Sequence, residues 1–407
     1  MADTLRARSP DKPGAHPKST KRVVISCSLG PYGGAETHVY WLALLLAEAG
    51  THVTLAARSF AWPPSWQRRL RAAGIRLVTT PLPWWRYAPH LRNLWALLVW
   101  PHLLVPRSYD VLFAAGSGSF HLWLRRFVRP GGWRIYNEVL GVPPRRRGRV
   151  LWRYVRLLQG VDGVLVYAPS VATALRANVS FAAPLRVIPP LHGGPMVGHP
   201  DEEVAGNSRV WTDSGTRPLR LVYVGRMIPG KQPGLLLDLW PYLRATLAPA
   251  RLDFYGDGPE VAPLHRLAVV RGWQGEVTLH GRYDQETDLQ GIFDSVDLLV
   301  LPATGGEGLP LVVLEAMARG VPAVVTSVGG LQDLADLAPE VSVVAPRPAA
   351  LATAIVQSAR QLRRGDLDHW RLRAHYRQRF RYDVIAPLWR NALLEPDLFW
   401  RASDAQR

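Results

Sequence analysis

The chain has 407 residues, too many for one ordinary domain and about right for two or three. Its 48% hydrophobic content and 16 tryptophans exclude a mainly disordered protein. A single cysteine, Cys27, excludes an intramolecular disulfide framework or a cysteine zinc site, so a reducing, cytoplasmic setting is expected. The net charge of +17 is unevenly placed: residues 1–200 hold 26 Lys and Arg against 7 Asp and Glu, and the remainder is nearly balanced. Such a field favours an anionic partner on the first half, whether nucleic acid, an anionic membrane surface or a phosphorylated substrate.

Residues 1–20 are polar and lack the apolar region of a signal peptide, and read as a disordered tail. From there, short apolar runs alternate with segments of helical period. In the first half the strand-like runs are Val23–Ser28, His52–Ala57, Arg76–Thr80, Asp110–Ala115, Arg134–Val139, Val161–Tyr167 and Leu185–Ile188. In the second they are Leu219–Val224, Leu252–Tyr255, Val277–His280, Leu298–Leu301, Ala323–Thr326 and Val341–Val344. That alternation predicts βαβ units and parallel sheets in two doubly wound α/β domains. The domains are expected at 21–195 and 218–375, with a Gly/Pro/Ser-rich linker at 196–217 and a helical end at 376–407. Ligands of open α/β sheets bind beyond the carboxyl ends of the strands, so chemistry belongs in a cleft between the two.

Three segments carry that chemistry. In the stretch from Pro302 to Pro322 a strand ends, a Gly-rich turn follows and a helix starts near Pro310, offering free backbone N–H groups to a phosphate or a sugar hydroxyl. Glu307 lies on the loop and Glu315 in the helix; read singly, they also fit an acid favouring the helix dipole and a solvated helical glutamate. Gly225-Arg226 to Lys231 follows the first strand of the second half, and Arg226 and Lys231 can place two cations on one diphosphate. Only four lysines occur among 49 basic residues, and Lys231 is the only one beyond Lys21. Its use where the chain otherwise prefers arginine points to a specific role. Gly33-Gly34, before the first helix, allows close backbone approach to an anion.

Taken together these segments resemble the family 4 retaining glycosyltransferases of GT-B fold. The likeness lies in Glu307 and Glu315 separated by seven residues, in Ala316-Met317-Ala318-x-Gly320-x-Pro322, in Gly329-Gly330, and in Gly-Arg…Lys. The resemblance implies two Rossmann-like domains facing a cleft and a nucleotide-diphosphate sugar donor (UDP-, GDP- or ADP-sugar) with no metal. It implies that Glu307 contacts the donor sugar, Glu315 the ribose, and Arg226 with Lys231 the pyrophosphate. Gly308, Leu309 and Pro310 would face the sugar and diphosphate, Gly33 and Gly34 the donor phosphates, and Gly281 and Arg282 the base. Glu36 is expected to order its loop. Weaker matches are Gly256-x-Gly258-Pro259, and Asp333 where many relatives have Glu.

One departure stands out. Many members carry a histidine at the end of the fifth strand, where this chain has Asn137 and Glu138. Glu138 is a candidate acceptor-site acid, and a half-buried glutamate paired to an arginine fits equally; His121 is a weaker cleft candidate. The aromatic, aliphatic and basic segments 83–87, 94–105 and 145–149 suggest a lipid-linked or membrane-proximal acceptor at the inner face of the membrane, or else a core helix and a solvated basic face. Two other functions compete with transfer to a glycan: a GT-B protein that binds glycans without catalysis, and a basic nucleic-acid-binding protein. For the last, no recognisable binding module is found, so no nucleic acid is expected.

Overall fold

The structure is a computed structural model that describes residues 21–27, 33–57, 62–79, 108–116, 125–139, 149–194, 217–284 and 287–401. The tail 1–20, His121, segments 83–87, 94–105 and 145–148, and the linker up to residue 216 lie outside the described residues.

The first half contains β1 (Arg22–Cys27), α1 (Gly34–Glu48), β2 (His52–Ala57), α2 (Pro64–Ala72), β3 (Arg76–Thr79), β4 (Tyr109–Ala115), β5 (Val128–Glu138), α3 (Arg149–Leu158), β6 (Gly163–Val166), α4 (Pro169–Asn178) and β7 (Leu185–Val187). Its strands form one parallel sheet in the order β3-β2-β1-β4-β5-β6-β7. The second half contains β8 (Leu219–Val224), α5 (Pro233–Leu247), β9 (Ala250–Tyr255), α6 (Val261–Val270), β10 (Val277–Gly281), α7 (Leu289–Asp294), β11 (Leu298–Leu301), α8 (Leu311–Ala318), β12 (Ala323–Thr326), α9 (Leu334–Leu337), β13 (Val341–Val344) and α10 (Pro348–Arg364). Here the parallel order is β10-β9-β8-β11-β12-β13. Both sheets are therefore doubly wound. Strand order reverses between β1 and β4 and again between β8 and β11, which is where such sheets open a ligand crevice.

The strands form because their apolar, β-branched runs are buried on both faces, as in Val23-Val24-Ile25 and Leu298–Leu301, all 0% exposed. Every apolar run read from the sequence contains a strand. The largest difference is β5, which begins at Val128 and not near Arg134. Pro130-Gly131-Gly132 reads as a turn, yet the chain stays beside β4 through a register shift between Tyr109 and Val111. No room exists for a side chain at that bulge, since a Cβ on Gly132 would lie 2.7 Å from the Asp110 carbonyl oxygen.

After α10 come α11 (His369–Arg379), α12 (Tyr382–Leu394) and α13 (Pro396–Arg401). The first of these stays with the second sheet, its His369 Nδ1 lying 2.7 Å from the Gly320 carbonyl oxygen. The next two lie on the first sheet. Trp389 of α12 is fully buried, donates to the Pro189 carbonyl oxygen at 2.8 Å and packs against His38, Phe113 and Tyr167. Burying one such aromatic side chain is worth about 1.5–3 kcal/mol, enough to hold a crossing helix in place. No helix among the described residues is long and apolar enough to cross a membrane.

Candidate active site

The carboxyl ends of both sheets open onto one cavity of about 680 Å³. From the first half it is lined by residues that include Gly33, Gly34, Glu138, Val139 and Tyr167, and from the second by Arg226, Lys231, Glu307, Gly308, Leu309, Pro310 and Glu315. The two halves touch around it: a Cβ on Gly308 would lie 2.8 Å from the Val139 carbonyl oxygen, and one on Gly34 would lie 3.3 Å from Leu311.

The cations sit on the loop after β8. Tyr223 donates its hydroxyl hydrogen to the Arg226 carbonyl oxygen at 2.7 Å, fixing the backbone there. The Arg226 side chain is exposed in the cavity and has no hydrogen-bond or ion-pair partner among the described residues. A 3₁₀ turn over Pro229–Lys231 ends at Gln232, the one non-glycine among the described residues with a left-handed backbone (φ 47°). Such strain costs about 1–2 kcal/mol and is characteristic of functional turns. Here it ends the turn directly after Lys231, whose ammonium lies 3.0 and 3.1 Å from the two carboxylate oxygens of Glu307. Lys231 and Glu307 thus neutralise each other, while the Arg226 guanidinium faces the cavity with the Glu36 carboxyl nearby.

Below these loops the glycines of the weaker motifs are forced by contact. A Cβ on Gly256 would lie 1.9 Å from the Gly225 carbonyl oxygen, and one on Gly258 2.3 Å from that of Met227. A Cβ on Gly329 or Gly330 would lie 1.9 or 1.8 Å from the carbonyl oxygen of Glu307 or Gly308 respectively. Each Gly-rich turn is therefore the floor beneath one ligand-facing loop, and hydrogen bonds complete the layering. Met227 N donates to the Asp257 carbonyl oxygen at 2.9 Å, Gly330 N to that of Glu307 at 3.0 Å, and Thr304 N to that of Gly230 at 3.0 Å. Gly281 belongs to this floor: its carbonyl oxygen accepts from Gly256 N at 2.7 Å and it does not line the cavity, whereas Arg282 and Tyr283 do.

Helix α8 begins after Pro310, whose extended backbone caps it. Because Pro310 carries no N–H and Val313 N bonds to the Pro310 carbonyl oxygen at 3.1 Å, the first-turn donors of this helix are the Leu311 and Val312 amides. All eight residues of α8 are buried, and Glu315 is its only charge. Burial raises the Glu315 carboxyl from 4.5 to about 8, and its Oε2 has no hydrogen-bond partner among the described residues. A buried acceptor in a cavity wall fits a ligand hydroxyl. The folded chain keeps this proton while the unfolded chain loses it near pH 4.5, so the burial penalty grows with pH and levels off above about 8. Glu315→Gln is accordingly expected to raise Tm over the parent at pH 8.5, with a smaller gain at pH 5. A gain that does not vary with pH in thermal melts counts against the buried, protonated acid.

The structure adds detail to two sequence expectations. Glu138 lines the cavity but is not an exposed acid there: it is 3% exposed, and its Oε2 accepts from the Tyr136 and Tyr154 hydroxyls at 2.8 and 2.5 Å. The reason is strand alternation, which puts residues 136 and 138 on the face covered by α3, where Tyr154 waits. Asn137 points to the opposite face and donates to the Tyr167 hydroxyl at 2.8 Å. Glu36 does more than order its loop. It is 5% exposed, a Cβ on Gly33 would lie 3.1 Å from its Oε2 and 3.9 Å from Arg226 Nε, and burial lifts its carboxyl to about 7 against the pull of its own backbone N–H and of Arg226. The signal for it was its place in the first turn of a helix entering the cleft, beside Gly33-Gly34.

Comparison with known proteins matches residues 32–191 to the family model Glycosyltransferase Family 4 and residues 218–361 to Glycosyl transferases group 1. The chain belongs to the family 4 glycosyltransferases. Within that family a GDP-mannose-dependent α-(1-6)-phosphatidylinositol monomannoside mannosyltransferase of Mycobacterium tuberculosis is 29% identical over 313 residues, 73% of this chain and 78% of that one. An exopolysaccharide phosphotransferase of Streptomyces coelicolor is 34% identical over 104 residues, 26% of this chain; the match spans only 11% of that protein's length. The fold of this glycosyltransferase is that of Anabaena HepE in complex with UDP-glucose, with a TM-score of 0.68 at 18% identity over 92% of this chain and 99% of that one. The two sheets and their facing carboxyl ends are the GT-B architecture.

Proposed function

We propose that this protein transfers a glycosyl group from a nucleotide-diphosphate sugar to an acceptor hydroxyl, with retention of anomeric configuration and without an obligatory metal. The supporting observation is the convergence of Arg226, Lys231, Glu307, Glu315 and the start of α8 on one cavity. In this reading Arg226 and Lys231 take up the charge that develops on the departing diphosphate, a role that elsewhere can fall to a metal ion. Glu307 leaves Lys231 to accept from sugar hydroxyls, Glu315 accepts from the ribose, and amides at the start of α8 face the phosphates. The acceptor oxygen bonds to the anomeric carbon as the bond to the phosphate oxygen breaks. The electron pair leaves with the nucleoside diphosphate, and the acceptor's proton passes to that phosphate oxygen.

The donor class is supported by two printed descriptions, GDP-mannose dependence for the mycobacterial relative and UDP-glucose in the HepE complex. Residues 21–195 would serve as the acceptor domain, 218–375 as the donor domain and 376–407 as the return to the first. A lipid-linked acceptor at the inner membrane face accords with the basic first half and with the phosphatidylinositol-based acceptor named for the mycobacterial enzyme. The test is a thermal-shift screen of UDP-, GDP- and ADP-sugars with Lys231→Ala as control. One donor is expected to raise the Tm of the parent and leave the variant unmoved. No shift with any of the three would overturn the reading.

A further inference from the structure

Building on the transferase reading, we propose that Ser170 and Asp333 are positioning residues for Glu307, acting from opposite domains through the Gly329-Gly330 turn. Asp333 closes the 3₁₀ turn Gly329–Asp333 of the donor half, and Ser170 stands in the first turn of α4 in the other half. Asp333 Oδ2 accepts from Ser170 N at 3.0 Å and from Ser170 Oγ at 2.7 Å, while Ser170 Oγ also lies 2.9 Å from the Gly329 carbonyl oxygen. Helix α4 has no side-chain cap of its own, and its preceding residue is Ala168. A carboxylate from the other domain supplies that cap, where it also meets the positive end of the helix dipole.

The clamp reaches the reacting groups in one step. Gly329 and Gly330, with the Ser170 Oγ 2.9 Å from the Gly329 carbonyl oxygen, lie beneath the Glu307 and Gly308 peptides, where a Cβ on either would fall within 2 Å of a carbonyl oxygen. Gly330 N donates to the Glu307 carbonyl oxygen at 3.0 Å. The same turn abuts the first domain directly, since a Cβ on Gly330 would lie 2.7 Å from the Ala168 Cβ. With so little free space, displacement of this turn is passed on to the peptide that carries Glu307. Closing the cleft and setting the donor-loop carboxylate are then one event, and Ser170 with Asp333 form the joint between them.

The experiment compares Ser170→Ala, Asp333→Ala, the double variant and the conservative Asp333→Glu in kcat, donor KM and radius of gyration by small-angle scattering. Each alanine variant is expected to lower kcat about tenfold, with donor KM changed less, and to enlarge the ligand-free particle. The double variant is expected to lose no more than either single, because both residues belong to one clamp, and Asp333→Glu is expected to recover most of kcat. A parent-like kcat, or losses that multiply in the double, overturns the proposal. If the parent turns over no sugar nucleotide, the transferase reading fails by itself, and scattering still decides this one: single variants as compact as the parent overturn it.

Discussion

Replacing Lys231 with alanine is expected to lower kcat/KM for the sugar nucleotide by about 10²–10³-fold, the loss that follows removal of one preorganised charge-stabilising donor. The lysine is one of two cations available to the departing diphosphate, and the chain offers no neighbouring lysine to replace it. A second effect must be separated from this one. The Glu307 side chain is only 13% exposed, and removing its partner leaves a shielded carboxylate without its counter-ion, which costs up to about 3–5 kcal/mol in fully buried pairs. Lys231→Ala should therefore melt earlier than the parent. Adding Glu307→Gln removes the stranded charge, and the double variant is expected to regain thermal stability without regaining turnover. If the double variant turned over sugar nucleotide at the parent rate, the lysine would serve only to pair Glu307.

The substitution Gly330→Ala is expected to abolish most activity through geometry alone. Its Cβ would need the space 1.8 Å from the Gly308 carbonyl oxygen and 2.7 Å from Ala168 Cβ. Either the donor loop shifts or the domains separate. Overpacking of this kind costs about 1–3 kcal/mol, and a displacement of about 1 Å at the reacting groups costs about 10² in rate. Thermal melts and kcat on the same preparation read both. Gly291→Ala is the control: it lies in α7 with nothing within 4 Å of its would-be Cβ, so stability should hold or rise slightly and kcat should not change. An active Gly330→Ala enzyme would mean that the turn yields, and the layered floor would lose its function.

The sheets were legible because a strand buried on both faces must be apolar along its whole length, as Val23-Val24-Ile25 and Leu298–Leu301 are. Chemistry was legible where it is tied to short-range spacing. Seven residues separate Glu307 from Glu315, so one stays on the loop while the other enters α8, and a rare lysine stands in an arginine-rich chain. The start of β5 at Val128 is not visible in the sequence, because Pro130-Gly131-Gly132 carries the composition of a turn and its place beside β4 depends on contacts with another strand.

What the amino-acid order determined by itself was the alternation of elements, the two doubly wound sheets and the loops that must hold anions, all of them consequences of local periodicity and backbone permissiveness. What only the tertiary structure decided was where side chains at strand and turn ends are spent. Glu138 goes to two tyrosines, Glu36 faces Arg226, and Asp333 caps a helix of the other domain. A carboxylate is satisfied by whichever donor the fold brings within about 3 Å, and although Tyr136 is a strand neighbour of Glu138, Tyr154 lies 16 positions from it, Ser170 lies 163 from Asp333, and Arg226 lies in the other half from Glu36. No local pattern records such distances, so the partners of a buried charge emerge only once the two sheets face each other.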